Sequence, residues 1–268
     1  MNTQLLIIDP QNDFCSPTGE LYVKHADMDM LQLATLIKEN RSVFDKIHVT
    51  LDSHNLYNVA HPIFWKNKDG QHPNPFTIIS KKDVETGVWI PDNFLQEKMV
   101  EYLTVLEHSG RYPLCIWPPH CIIGTWGNDV FPIVSVSLIR WEEQGRAVNY
   151  IIKGTNPYTE HYSAIQAEVP DPNDETTWIN KSLLKTLEKA DVLAIAGEAS
   201  SHCVANTVRD ILSYFHHEKK EIASKIILLW DAMSPVSGFE NLQEEFFEEV
   251  QEQGVRVSTC LEFINQKL

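Results

Sequence analysis

Short, almost purely apolar runs alternate with longer stretches of helical spacing along the whole chain, and this alternation constrains the fold more than any other feature. Residues 5–8, 46–51, 114–117, 148–152, 192–196, 226–230 and 255–259 contain few polar side chains in most cases, the pattern of strands buried on both faces. Between them, residues 28–40, 129–143, 177–190, 202–216 and 241–253 place apolar side chains three and four apart, with Asp27 and Asp129 as cap candidates. Repeated strand–helix order predicts an α/β fold on a parallel sheet. The exception is residues 55–91, rich in Pro, Gly, Asn, Lys and His. A stretch this long without periodicity is expected to be a functional loop or a local subdomain. With no repeat and no low-complexity linker, one domain over residues 1–268 carrying that insertion is expected rather than two.

The chain has 268 residues, 43% of them hydrophobic, and 22 Lys+Arg against 37 Asp+Glu give a formal charge of −15. A large core is affordable. Nucleic acid is excluded as a partner, because phosphate neutralisation needs clustered cations. The segment after Met1 has no basic region, and its apolar run is too short for a secretory signal or a membrane span. A cytoplasmic protein without membrane contact is expected. Five scattered cysteines, Cys15, Cys115, Cys121, Cys203 and Cys260, form no C-x-x-C pair and are expected to be thiols.

Ligands of parallel α/β sheets bind beyond the carboxyl ends of the strands, so polar residues just past a strand matter most. That filter selects Asp9, Asp52, His54, His120, Lys153 and Cys203. Cys203 lies where a strand turns into a helix, through Gly197-Glu198-Ala199-Ser200-Ser201-His202. A helix N-terminus stabilises a thiolate and is expected to lower the thiol pKa, and its free N–H groups can receive an oxyanion. Equally, a cysteine there can pack a helix against a sheet, Asp9 can cap a turn, and Lys153 can be a solvated strand-end cation. Together the three are complementary: a nucleophile, an acid–base group and a cation that keeps both charged. Asp52 and His54, two apart in extended chain, point to one side, as two ligands of one ion require. His61 lies seven residues further on, and His120 follows another apolar run. Such a donor set suits Zn²⁺, Mn²⁺ or Fe²⁺.

These residues resemble the isochorismatase-like cysteine hydrolases and, among them, the nicotinamidases. Residues 7–14, Ile-Ile-Asp-Pro-Gln-Asn-Asp-Phe, are similar to the family's opening motif. Lys153-Gly154 and residues 197–204, Gly-Glu-Ala-Ser-Ser-His-Cys-Val, are similar to its central lysine and nucleophile turn. The resemblance implies a three-layer, Rossmann-like α/β/α fold and the triad Asp9, Lys153 and Cys203. It also implies a cis peptide at Glu198-Ala199 with the Ala199 and Cys203 amides as oxyanion donors. Asp52, His54, His61 and His120 match ligand positions for a divalent ion, Zn²⁺ foremost, and Phe14 and Trp117 match the residues that sandwich a pyridine ring. By the same resemblance the substrate is a small carboxamide, nicotinamide foremost, and the chain assembles as a homo-oligomer.

The chain departs from that pattern in its insertion after His61, in the polar segment Thr155–Ser163, and at Glu198, where nicotinamidases usually carry an apolar residue. By the same resemblance isochorismate hydrolysis is the nearest rival, and Cys203 counts against it because that reaction uses no Cys nucleophile; cleavage of a carbamoyl or ureido amide by the same triad is harder to dismiss. A non-catalytic interaction module on this fold is the alternative of a different class, and it would require three strand-end matches to be incidental.

Overall fold

The computed structural model describes residues 1–109, 111–216 and 221–265. Leu5, Leu6, Ile7 and Ile8 are fully buried, so β1 (Thr3–Ile8) must be covered on both faces. Each such side chain contributes roughly 1.5–3 kcal/mol of transfer free energy. That requirement puts β1 inside the sheet, between β2 (Lys46–Asp52) and β6 (Val192–Gly197). β5 (Asn149–Lys153) flanks β2 at one edge, and β7 (Ile226–Leu229) and β8 (Arg256–Ser258) complete the order β5-β2-β1-β6-β7-β8. Every pairing in it is parallel.

The helices are α1 (Asn12–Cys15), α2 (Ala26–Glu39), α3 (Lys81–Glu85), α4 (Gln96–Ser109), α5 (Pro132–Glu142), α6 (Lys181–Leu187), α7 (Cys203–Phe215), α8 (Ile222–Lys225), α9 (Glu240–Glu252) and α10 (Cys260–Asn265). One group packs around α2, with α5, α1 and α10 against it; another packs around α7, with α8 and α9. The result is the three-layer α/β/α architecture expected from the motifs.

Several expectations need correction. The run at 114–117 forms only β4 (Leu114–Cys115), which pairs antiparallel with β3 (Ile78–Ile79) outside the central sheet. The inserted segment supplies its partner, so an apolar run was captured by a separate two-stranded sheet. That segment is also more structured than its composition implied, since Ser80 and Asp83 form a capping box that starts α3. Helix α4 was missed altogether, although Met99, Leu103 and Leu106 have helical spacing and are buried. Neither Asp27 nor Asp129 is a cap: those positions belong to His25 and Phe131. Asp27 instead accepts from the Tyr22 hydroxyl at 2.7 Å. The stretch 177–190 yields a helix only from Lys181, capped by the Asn180 side chain on the Leu183 amide. Among the described residues no helix is long and apolar enough to cross a membrane.

Candidate active site

Parallel registration brings four strand ends to one edge. Ile8 pairs with Gly197, and Asp52 with Lys153, so Asp9, Asp52, Lys153 and the turn after Gly197 open onto the same place. Gly197 is required there: it has φ +112, and a Cβ would stand 2.0 Å from the Ile8 carbonyl oxygen. Asp9 itself has φ 43, a left-handed conformation uncommon for a residue with a side chain. Its amide donates to Thr50 Oγ1 at 2.9 Å, and that hydroxyl donates back to Asp9 Oδ1 at 2.5 Å, which orients the carboxylate.

Lys153 Nζ lies 3.0 Å from Asp9 Oδ2, 3.0 Å from Asp52 Oδ1 and 3.7 Å from Cys203 Sγ. It also donates to the His161 carbonyl at 2.9 Å. All four titratable groups are buried. Burial works against the Lys153 ammonium, but Asp52, Asp9 and Cys203 outweigh it and hold its pKa well above the ordinary lysine value. Burial lifts Asp9 above the usual carboxylate range, with Lys153 opposing. Asp52 goes the other way, held well down against burial by His54 and Lys153. Burial likewise pushes the Cys203 thiol well up, with Lys153 opposing. The expected depression by the helix terminus is therefore overturned, because the thiol sits among two carboxylates in an enclosed site. A thiol that keeps its proton beside a carboxyl with raised affinity is arranged for transfer on attack.

The helix α7 starts at Cys203, with His202 as its cap, rather than near Ser200 or Ser201. The Glu198–Ala199 peptide is cis. The turn is held by Glu198 N to the Ile8 carbonyl (2.8 Å), Ser200 N to the Ser234 carbonyl (2.9 Å), and the His202 and Val204 amides to the Ala199 carbonyl. The Ala199 and Cys203 amides are not among those donors.

Asp52, His54 and His120 each offer a ligand atom, all within 4.8 Å of one another. His54 Nε2 is 2.8 Å and His120 Nε2 3.5 Å from Asp52 Oδ2. The His61 ring stands 5.4 Å from that of His54 and 5.5 Å from that of His120. His61 donates from Nδ1 to the Leu56 carbonyl and His120 from Nδ1 to the Pro118 carbonyl. Those bonds fix both tautomers with bare Nε2 atoms. His61 Nε2 is buried without a hydrogen-bond partner, and His120 Nε2 faces a carboxylate oxygen. Electron pairs converging in this way fit a divalent cation. Gly154, with φ +82, sits against the cluster: a Cβ would lie 2.7 Å from Asp52 Oδ1 and 2.9 Å from His54 Cε1.

Between the thiol and the imidazoles lies a small pocket walled by Phe14, Trp117, Tyr162, Glu160, His202 and Val236, among others. Phe14 and Trp117 are both among its walls. Sequence reasoning missed Glu160, His202 and Tyr162. Glu160 Oε2 is buried without a donor, and burial raises its pKa. Tyr162 accepts from Trp117 Nε1 at 3.1 Å. The signal for Glu160 and Tyr162 was the unusual polarity of the segment after Lys153, whereas His202 stood inside the turn before Cys203 with nothing to set it apart. Glu198 is not a pocket wall and points behind the turn.

No family model matches the chain. The nicotinamidase of Saccharomyces cerevisiae is 24% identical over 94% of this chain and 97% of its own length. Among solved structures, that yeast enzyme bound to the inhibitor nicotinaldehyde superposes with a TM-score of 0.66 at 20% identity, covering 96% of this chain and 99% of that one. The pyrazinamidase of Pyrococcus horikoshii in complex with zinc gives 0.56 at 18% identity, covering 97% and 99%. The chain is thus similar along nearly its whole length to nicotinamidases and shares their fold. The alignments span nearly the whole of each chain.

Proposed function

We propose that the chain is a single-domain, metal-containing cysteine amidohydrolase that converts a small carboxamide, nicotinamide foremost, into the acid and ammonia. The observation that carries this reading is the meeting of Lys153 Nζ with Asp9 Oδ2 at 3.0 Å and Cys203 Sγ at 3.7 Å, beside an aromatic-walled pocket. Cys203 Sγ attacks the carbonyl carbon as its proton passes to Asp9, and the oxyanion is received by the Ala199 and Cys203 amides. Collapse breaks the C–N bond, and Asp9 hands the proton to the leaving nitrogen. Asp9 then takes a proton from water, whose oxygen attacks the thioester; the C–S bond breaks, Asp9 returns that proton to sulfur, and the carboxylic acid leaves. Lys153 holds the charges together throughout.

Asp52, His54, His61 and His120 would hold a divalent ion, Zn²⁺ foremost; when bound, it supplies a Lewis-acid anchor for a ring nitrogen. The zinc complex of the Pyrococcus protein supports that choice. Phe14 and Trp117 would clamp the ring. The imidazole-rich cluster also favours this reading over a metal-free carbamoyl hydrolase. A cytoplasmic location and assembly into a homo-oligomer belong to the same proposal.

The test is ammonia release from a panel of amides, nicotinamide included, with elemental analysis of the purified chain. Turnover of none of them would overturn the reading. Chelation is expected to lower kcat/KM at least about tenfold, mostly through KM, because an anchor that binds ground and transition states alike acts on KM; added Zn²⁺ or Mn²⁺ should restore it. Full activity in metal-free protein would refute the anchor. Gly154→Ala is expected to leave the fold intact, at roughly 1–2 kcal/mol for its left-handed backbone. Pressing on Asp52 and His54, it should weaken metal retention about ten- to hundredfold, read as metal content after dialysis.

A further inference from the structure

Glu198 is fully buried, stands beside the nucleophile, and has no part in the chemistry above. Its Oε2 accepts from the Ser234 amide at 3.1 Å. Ser234 in turn donates its hydroxyl to Asp29 Oδ2 at 2.5 Å and lends its carbonyl to the Ser200 amide. One serine thus ties the turn, a carboxyl group on α2 and a second carboxyl group together. Glu198 Oε1 is buried and has no donor. A carboxylate oxygen can only accept, so this atom is satisfied only if it carries the proton.

Burial, then Asp29, keep Glu198 well above the usual carboxylate range, opposed by the Ser234 amide. Burial also raises Asp29, while hydrogen bonds from Ser234 and Glu198 pull it back down. The groups facing the pair are Cys15 on α1, His25 ahead of α2 and Asp231 after β7. None of the groups acting on Glu198 is a cation. The exposed His25 acts on Asp29 alone, and two adjacent buried acids with no cation beside Glu198 are not both ionised.

We propose that Glu198 is a positioning residue: as a neutral acid it shares its proton with Asp29, and the Glu198–Ser234–Asp29 cluster fixes the turn that presents the Ala199 and Cys203 amides. Losing that proton sets two carboxylates against each other directly behind the oxyanion donors. The inference rests on the amidohydrolase reading.

The experiment measures kcat and KM against pH, with nicotinamide as probe, for the wild type, Glu198→Ala and Glu198→Gln. Circular dichroism checks the fold of each variant. Glu198→Ala is expected to lower kcat about ten- to hundredfold, the cost of a misplaced reacting geometry, with KM held within about threefold. The nearly isosteric Glu198→Gln, which donates without ionising, is expected to recover kcat to within about threefold and to lose the alkaline fall of the wild type. An infrared band of a protonated carboxyl group, present at neutral pH and lost in Glu198→Gln, reads the shared proton without turnover. The proposal is overturned if Glu198→Gln is as slow as Glu198→Ala, if it keeps the wild-type alkaline limb, or if no such band exists. A wild type that turns over no amide would overturn the amidohydrolase reading and the positioning role with it, while the band still decides whether the proton is shared.

Discussion

Cys203→Ala is expected to reduce ammonia release by at least about 10⁴-fold, because covalent catalysis has no second nucleophile to fall back on. The fold should survive. The thiol occupies the first position of α7, alanine is an excellent helix former, and removal of Sγ relieves a group that burial and two carboxylates keep protonated. Melting temperature and far-ultraviolet dichroism should therefore match the wild type while turnover is lost. Undiminished ammonia release would refute Cys203 as nucleophile. Asp9→Asn should share the kinetic defect, since Asp9, 3.0 Å from Lys153 Nζ, is the group that takes the proton from sulfur in the proposed reaction.

Lys153→Met is expected to cost stability as well as activity. The ammonium is the counter-charge of both Asp9 and Asp52, and removing one partner of a buried ion pair costs roughly 3–5 kcal/mol. For a chain of this size that corresponds to about 10 °C or more in Tm. The sign with pH follows from the carboxylates. In the wild type, Asp52 is held well below its ordinary pKa, so it contributes stability above the unfolded value that is lost as pH falls. In the variant the pair is left facing itself and at least one folded pKa rises, so the penalty grows as pH rises above the unfolded value near ~3.9. The difference between wild type and variant in urea unfolding should be largest near neutral pH and narrow towards pH 4. A difference independent of pH would mean that lost packing, not lost charge, is responsible.

The candidate site was more legible than the fold around it. Asp9, Asp52, Lys153 and Cys203 were found because a parallel sheet exports ligand-binding residues to one edge, and each follows a recognisable apolar run. Helix ends were read less well. Asp27 and Asp129 looked like caps from residue type alone, but capping depends on where the chain enters the helix, and His25 and Phe131 occupy those points. Helix α4 escaped notice beside an insertion whose composition suggested irregular chain. Residues 114–117 had the apolarity of a central strand, yet pairing is a property of two segments, and the partner at 78–79 lay inside that insertion.

Periodicity and strand-end chemistry, both local, determined the parallel α/β layout and singled out the acid, amine and sulfur of the proposed reaction. Which groups share a proton, which imidazoles present bare nitrogens, and whether the thiol is held up or down depend on burial and on how the segments around them pack. Glu198 is the sharpest instance: in the sequence it is only a departure from the usual apolar residue, facing the site or away from it, but Ser234 and Asp29, brought behind the turn by packing, make it a neutral donor. Charge in a low-dielectric interior is decided by the few nearest groups, and only the tertiary structure says which those are.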